Sequence, residues 1–222
     1  MYDGYFTYDS VPLKWHLPVG LLYDIYVLSS SPDAPPTLPF KVVLHFHNGS
    51  GVSLISAEPA VLHDAFINSV KEADFLRSGT AKPIMTLSAA DSKALWQSVQ
   101  LHDLAVYKPI YNTLLPSSFR NIPIRIYLPS GPDGEKASIK VLQAHILPMI
   151  SSNVGRSGTT PQTLGTALRG LIPDLFPSSR TPVLARTVLH GAFVPLTSHL
   201  EELARYAAYS DGWLGIVVMM NA

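Results

Sequence analysis

The sequence predicts an α+β chain in three segments, with strands at both ends and helices between them. Three observations carry this prediction. Phe40, Val42, Leu44 and Phe46 alternate with Lys41, Val43, His45 and His47, the two-residue period of a half-buried strand. Leu62, Ala65, Phe66, Val70, Ala73 and Leu76 fall in one stripe at the helical period. From Ile122 the period returns to two, with Ile124, Ile126 and Leu128 on the same face. Pro- and Ser-rich punctuation sets the expected divisions at 1–57, 58–117 and 118–222.

In the first segment, Leu17 to Leu28 reads as a short helix. Pro18 is tolerated in its first turn, and Leu21, Leu22, Ile25 and Leu28 share a face. Ser29 to Pro39 is a loop. The Phe40–Phe46 strand follows, ended by a turn at Asn48-Gly49-Ser50-Gly51.

In the middle segment, Ala60 to Leu76 is the first helix, closed by Gly79 and Pro83. A second is expected from Ala89 to Val106, with Leu95, Trp96, Val99, His102 and Val106 on one side. Pro109 should end or kink it.

In the third segment, Ile122 to Leu128 is a strand. Pro123 within it points to an edge position or a strand start. Pro129 to Gly134 is a hairpin-type connection to a second strand, Ile139 to Leu147. Thr163 is the expected N-cap of a helix over Leu164 to Leu171. A third strand runs from Val183 to His190, and Leu200, Leu203, Ala204 and Ala207 mark another helix. Leu214 to Met220 is apolar on both faces, as a central covered strand is. A hairpin, a crossing helix and a late apolar strand in mid-sheet make the pattern of a ubiquitin-like β-grasp. The segment exceeds ubiquitin in length, with the excess expected in loops such as Ser151 to Thr160.

Composition narrows the function. The 222 residues contain no cysteine, which excludes a thiol nucleophile, a disulfide framework and a thiolate metal site within this chain. A cysteine protease and a thioester-forming ubiquitin-type enzyme are therefore excluded. Lys plus Arg equals Asp plus Glu at 16 each, and no polybasic run occurs, so nucleic acid is not an expected partner. Charged residues are only 14% and mean hydropathy is +0.20, a weakly charged composition that suits association with partners. The start lacks the basic and apolar regions of a signal peptide. The densest apolar stretch, Leu214 to Met220, is far short of the ~18 residues of a membrane span. A cytoplasmic protein is expected.

Few residues present chemistry of their own. His45 and His47 point to one strand face, but a zinc site needs further ligands, and HExxH and EF-hand patterns are absent. The nucleophile elbow G-x-S-x-G is also absent, as are both phosphate-cradling glycine motifs. No metal, cofactor or catalytic residue is expected. Lys71 is more informative. It falls ~180° from Leu62 on the helical wheel, at the centre of the outer face with Asp64, Asn68 and Phe75. Phe75 there is either an ordinary exposed aromatic or a docking spot beside the lysine.

Several stretches together resemble the autophagy protein 5 family. Pro12-Leu13-Lys14-Trp15-His16-Leu17-Pro18-Val19-Gly20-Leu21-Leu22-Tyr23-Asp24 is similar to the family's PLKWHxPxGLLxDL stretch. Val70-Lys71-Glu72-Ala73-Asp74-Phe75-Leu76 resembles the KEAD motif, and Arg120 to Tyr127 the R-x-I-P-x-R-I-Y motif. Thr163-Leu164-Gly165 and the tail from His190 to Val217 also fit. The resemblance implies two ubiquitin-like domains flanking a helix-rich one. It implies that Lys71 is the isopeptide acceptor for autophagy protein 12, a ubiquitin-like protein, with the E2-like autophagy proteins 10 and 3 as further partners. It implies that a groove shared by the domains binds an amphipathic helix of autophagy protein 16. The conjugate is then a non-catalytic, E3-like factor for lipidation of autophagy protein 8. The resemblance also implies peripheral association with the phagophore assembly site membrane.

One departure stands out. The family carries a further helix and strand pair before PLKWH, whereas only Met1 to Val11 precede it here. An N-terminally shortened chain of fungal type, its first ubiquitin-like domain incomplete, is the expectation. The other readings are a ubiquitin-like adaptor without conjugation and a small serine hydrolase.

Overall fold

The computed structural model of the chain describes residues 4–29, 38–46, 58–130, 138–151 and 158–221. His47, the turn expected at Asn48–Gly51, and most of the loop expected over Ser29–Pro39 lie outside them, as do the middles of the Pro129–Gly134 and Ser151–Thr160 connections.

The first segment opens with strands the sequence reading did not find. β1 (Tyr5–Tyr8) is the middle strand of a three-stranded antiparallel sheet, between β2 (Val11–Pro12) and β3 (Val43–His45). Asp9 and Ser10 turn the chain with φ of 45° and 64°, the doubly left-handed geometry of a two-residue hairpin loop.

β3 is shorter than the expected Phe40–Phe46 run and is not half-buried. Val42, Leu44 and Phe46 are exposed, as is Val43 at 59%. Alternation becomes burial only where a second layer covers one face. The helix of the same segment, α1 (Val19–Tyr23), turns its apolar side to the third segment instead. α1 starts later than expected because Pro18 takes the extended N-cap position, with ψ 143°. It continues as a π-helical turn over Asp24–Leu28, closed by Ser29 N–H to the Asp24 carbonyl at 3.2 Å. Leu21, Leu22 and Ile25 are buried as the stripe predicts.

In the middle segment, α2 (Pro59–Ser78) ends at Gly79, whose φ of +80° lets its N–H bond the Phe75 carbonyl at 2.8 Å. Pro83 does not help to close α2. It sits in the first turn of α3 (Lys82–Met85).

The single helix expected over Ala89–Val106 is two: α4 (Ala89–Gln100) and α5 (Leu104–Leu114). The break is at His102, with φ of 56°. Asp103 then accepts the N–H groups of Ala105 and Val106 at 3.0 and 3.1 Å, and this cap restarts the helix. His102 and Val106 are consequently exposed. Pro109 lies inside α5 rather than at its end. Val70, Ile84, Leu95 and Leu114 form the bundle's core.

In the third segment, β4 (Ile122–Ser130) pairs antiparallel with β5 (Ser138–Ile146). A small hairpin, β6 (Met149–Ser151) with β7 (Thr159–Pro161), leads to α6 (Leu164–Leu171). Thr163 caps α6 in a reciprocal box with Thr166. β8 (Ala185–Leu189), β9 (Ala192–Phe193), α7 (Leu200–Ala207) and β10 (Leu214–Met220) complete the chain.

The sheet order is β5-β4-β10-β8-β9, with β10 parallel to β4 and antiparallel to β8. That is the β-grasp the sequence predicts. β4 is an inner strand, so Pro123 marks a strand start and not an edge. The β10 ladder begins at Ile124, one residue after the proline, so the missing N–H falls before it. Residues of α6 and α7 cover one sheet face, packing with Ile122, Ile124, Ile126 and Leu214. Leu21, Leu22, Ile25 and Tyr26 cover the other, packing with Tyr127, Val188, Val217 and Met219. The first segment's helix is thus a second layer for the third segment's sheet.

Candidate functional site

The outer face of α2 carries the candidate acceptor. Lys71 is exposed, with Asp64, Asn68 and Phe75 exposed on the same face, as the helical wheel predicts. Phe75 is 61% exposed.

The three residues after Lys71 hold the helix: Glu72 from an exposed position at its flank, Ala73 and Asp74 from its buried side. Glu72 Oε1 accepts a hydrogen bond from Trp213 Nε1–H at 3.1 Å. Ala73 is fully buried against Gly212, where a Cβ would lie 2.7 Å from the Ala73 Cα. Gly212 also has φ of +81°, so the close approach and the turn both require glycine. Asp74 is buried and its Oδ2 accepts the Ile84 N–H at 2.9 Å. Burial pushes the Asp74 carboxyl above the ordinary carboxylate range, while the Ile84 N–H and Arg77 pull it down. Arg77, only 1% exposed, donates from Nη2 to the Tyr111 hydroxyl at 2.8 Å. The motif therefore divides its labour: Lys71 projects from the outer face, and the three residues after it join α2 to the rest of the molecule.

Trp213 is itself fixed on all sides. The Arg125 guanidinium lies 4.6 Å from its ring centre and the His145 ring stacks on it at 5.5 Å. Asp211 Oδ1 accepts the Trp213 N–H at 3.1 Å, and Asp211 Oδ2 pairs with Arg125 Nη1 at 3.1 Å. Gln143, with its amide oxygen turned inward, accepts from Arg125 Nε at 3.0 Å. Burial pushes the Asp211 carboxyl up. The Trp213 N–H and Arg125 oppose that, while Glu72 adds to it.

A cleft of about 350 Å³ opens where the three segments meet. Trp15, His16 and Pro18 come from the first segment. Leu62, Ala65, Phe66, Ser69, Trp96 and Val99 come from the helices, and Tyr209, Ser210 and Asp211 from the third segment. Phe66 and Trp96 pack with ring centres 5.5 Å apart. The walls are mostly apolar, with His16, Ser69, Ser210 and Asp211 among the polar groups. Burial, then Lys14 and Arg125, lower the pKa of His16, with Asp211 opposing. The sequence reading assigned no groove residues. The only local signals were Trp15-His16 and the Leu95–Trp96 stripe, and neither says what it faces.

His45 is occupied locally: Nε2 lies 2.9 Å from Thr7 Oγ1, and the ring stacks on Tyr5 at 4.9 Å. Among the described residues no cluster of three His, Asp or Glu side chains is set to hold a metal. Nor, among them, is any helix long and apolar enough to cross a membrane.

Three family models match the chain. They are "Autophagy protein ATG5, UblA domain" over residues 1–46, "Autophagy protein ATG5, alpha-helical bundle region" over 59–117, and "Autophagy protein ATG5, UblB domain" over 121–218. Autophagy protein 5 of Aspergillus oryzae is 49% identical, covering 99% of this chain and 77% of the relative. That of Aspergillus terreus is 50% identical, with the same two shares covered. The crystal structure of Kluyveromyces marxianus Atg5 superimposes with a TM-score of 0.72 at 20% identity, over 97% of this chain and 73% of that one.

Proposed function

The chain belongs to the autophagy protein 5 family, and from that premise we propose that it is a scaffold joined through Lys71 to autophagy protein 12. The observation that carries the proposal is the division of labour on α2. Lys71 stands exposed on the outer face, while Ala73 and Asp74 are buried against Gly212 and Ile84 and the exposed Glu72 accepts the Trp213 indole N–H. An acceptor amine must reach into another protein's active site, so it needs a solvent-facing position on a rigid support.

In the proposed reaction, autophagy protein 10 carries autophagy protein 12 as a thioester. The deprotonated Lys71 Nζ attacks the thioester carbonyl carbon. The C–N bond forms, the C–S bond breaks, and the enzyme's cysteine leaves as a thiolate while the amine's extra proton passes to solvent. This chain supplies the nucleophile and its placement, with no catalytic residue and no cofactor. Phe75, one turn beyond Lys71, offers an apolar contact to the incoming protein.

The cleft between the three segments has the apolar walls that an amphipathic helix requires, and we assign it to autophagy protein 16. The conjugate then acts as an E3-like factor with autophagy protein 3 in the lipidation of autophagy protein 8. It works in the cytoplasm, peripherally at the phagophore assembly site membrane.

The test is Lys71→Arg, which keeps charge and helix propensity but removes the acceptor. Intact-mass measurement in cells should show the shift of one ubiquitin-like protein for the wild type, mapped to Lys71, and no shift for the variant. A conjugate at normal yield in the variant would sink the assignment.

A further inference from the structure

We infer that Trp213 is a positioning residue for the conjugation of Lys71, acting through Glu72. The inference rests on the reading of Lys71 as acceptor.

Lys71 and Glu72 are consecutive on α2, so their side chains leave the helix about 100° apart. One faces solvent and the other meets the indole N–H at 3.1 Å. That N–H is a fixed donor. The ring packs against both Arg125 and His145, the backbone N–H is held by Asp211, and Asp211 is tied to Arg125. Through Arg125 on β4 and His145 on β5, the indole is part of the third segment's sheet.

Other contacts fix α2 in other respects. Asp74 and Arg77 hold it to the helical bundle through Ile84 and Tyr111. The Arg120 N–H bonds the Arg77 carbonyl at 2.9 Å, near the helix's end. The Ala73–Gly212 contact sets how closely the helix approaches the third segment. A backbone contact of that kind limits distance but resists rotation about the helix axis poorly. The Glu72–Trp213 bond lies off the axis and beside Lys71, so it resists that rotation.

Rotation matters for a nucleophile. At the ~5–6 Å outer radius of a helix, a turn of about 10° moves a side chain by roughly 1 Å. Displacement on that scale can cost about 10²-fold in rate when reacting groups must align.

The test is single-turnover transfer from autophagy protein 10 preloaded with autophagy protein 12, using the full chain as acceptor. Both the rate constant at saturation and the half-saturating concentration are measured. Glu72→Ala and Trp213→Phe should each lower the saturated rate constant by about 10-fold, with half-saturation within about twofold of wild type. Glu72→Gln keeps an acceptor oxygen for the indole N–H and should restore the rate. The double variant should be no slower than the slower single one, because both remove one bond. A wild-type rate in Trp213→Phe, or multiplying losses in the double variant, would overturn the inference. So would a Glu72→Gln rate as low as that of Glu72→Ala, which would assign Glu72 a charge contact with the enzyme. If Trp213→Phe proves poorly folded, the two Glu72 variants decide, since that side chain is exposed. Lys71→Arg runs alongside: transfer to it defeats the acceptor reading itself, whatever the other variants do.

Discussion

Asp24 Oδ2 accepts a hydrogen bond from the Gly191 N–H at 3.1 Å, between residues 167 positions apart. The bond joins the π-helical turn of the first segment to the β8–β9 turn of the third. Asp24 is 1% exposed, and its Oδ1 has no hydrogen-bond partner among the described residues. Burial pushes its carboxyl above the ordinary aspartate range, while the Gly191 N–H and the neighbouring His190 pull it down. The Tyr209 hydroxyl is also buried without a partner among the described residues, and burial together with Asp24 raises its pKa.

The pH dependence follows from the sign. The folded state holds the Asp24 proton more tightly than the unfolded chain does. Its contribution is therefore fully present below the unfolded aspartate pKa and is lost as pH rises through the raised folded value. Asp24→Asn keeps an acceptor and removes the charge. The variant should be more stable than wild type at neutral pH, because it removes the buried charge whose desolvation raises the carboxyl pKa. The gap should close below about pH 4. Denaturant midpoints of both proteins at several pH values check this; a gap independent of pH would remove Asp24 as the cause.

Gly212→Ala should be strongly destabilising. The left-handed φ costs about 1–2 kcal/mol for a residue with a Cβ. That Cβ would also press on Ala73 at 2.7 Å, adding about 1–3 kcal/mol of overpacking. Chemical denaturation should show the loss. Ala73→Gly in the same chain should recover part of it, because it removes the Ala73 side chain that the new Cβ also meets, at 2.8 Å.

Thr163→Ala should cost about 0.5–2 kcal/mol. Its Oγ1 accepts the Thr166 N–H at 3.2 Å, while Thr166 Oγ1 accepts the Thr163 N–H at 3.0 Å. Thr166→Val removes the reciprocal half. The double variant should lose less than the two single losses added together, since the two hydroxyls also lie 3.1 Å apart.

What the sequence revealed depended on range. The Thr163 cap and the phase of Lys71 on α2 are properties of neighbouring residues, and both were legible. So was β10, whose unbroken apolar run has one reading when a hairpin and a crossing helix precede it. The break at His102 was missed because Asp103 fits a helix interior as well as a cap until the backbone is seen to turn. β1 was missed because four residues carry too little pattern. The burial expected of Val42 and Leu44 failed because no local pattern tells which layer α1 will cover. The cleft was illegible for the same reason: Trp15, Leu62, Trp96 and Tyr209 meet only through tertiary packing. Trp213 gave no sign that it would reach Glu72.

The cleft and the proposed acceptor, Lys71, lie on opposite faces of one helix, so they can be separated by mutation. Leu62 lines the cleft and is partly exposed. It stands ~180° around α2 from Lys71. A carboxylate at position 62 can remain hydrated in the free protein, so Leu62→Glu should fold with little loss. An apolar helix docking there would strip that water and bury an unpaired charge. Titration calorimetry with a peptide of the amphipathic helix of autophagy protein 16 should show affinity reduced by at least about 10-fold, a penalty of ~1.4 kcal/mol. Conjugation at Lys71 should proceed at the wild-type rate, since the Glu72–Trp213 and Ala73–Gly212 contacts are untouched. Normal affinity for the peptide would remove the cleft from the proposed function. A lost conjugate would show that the two faces are not independent.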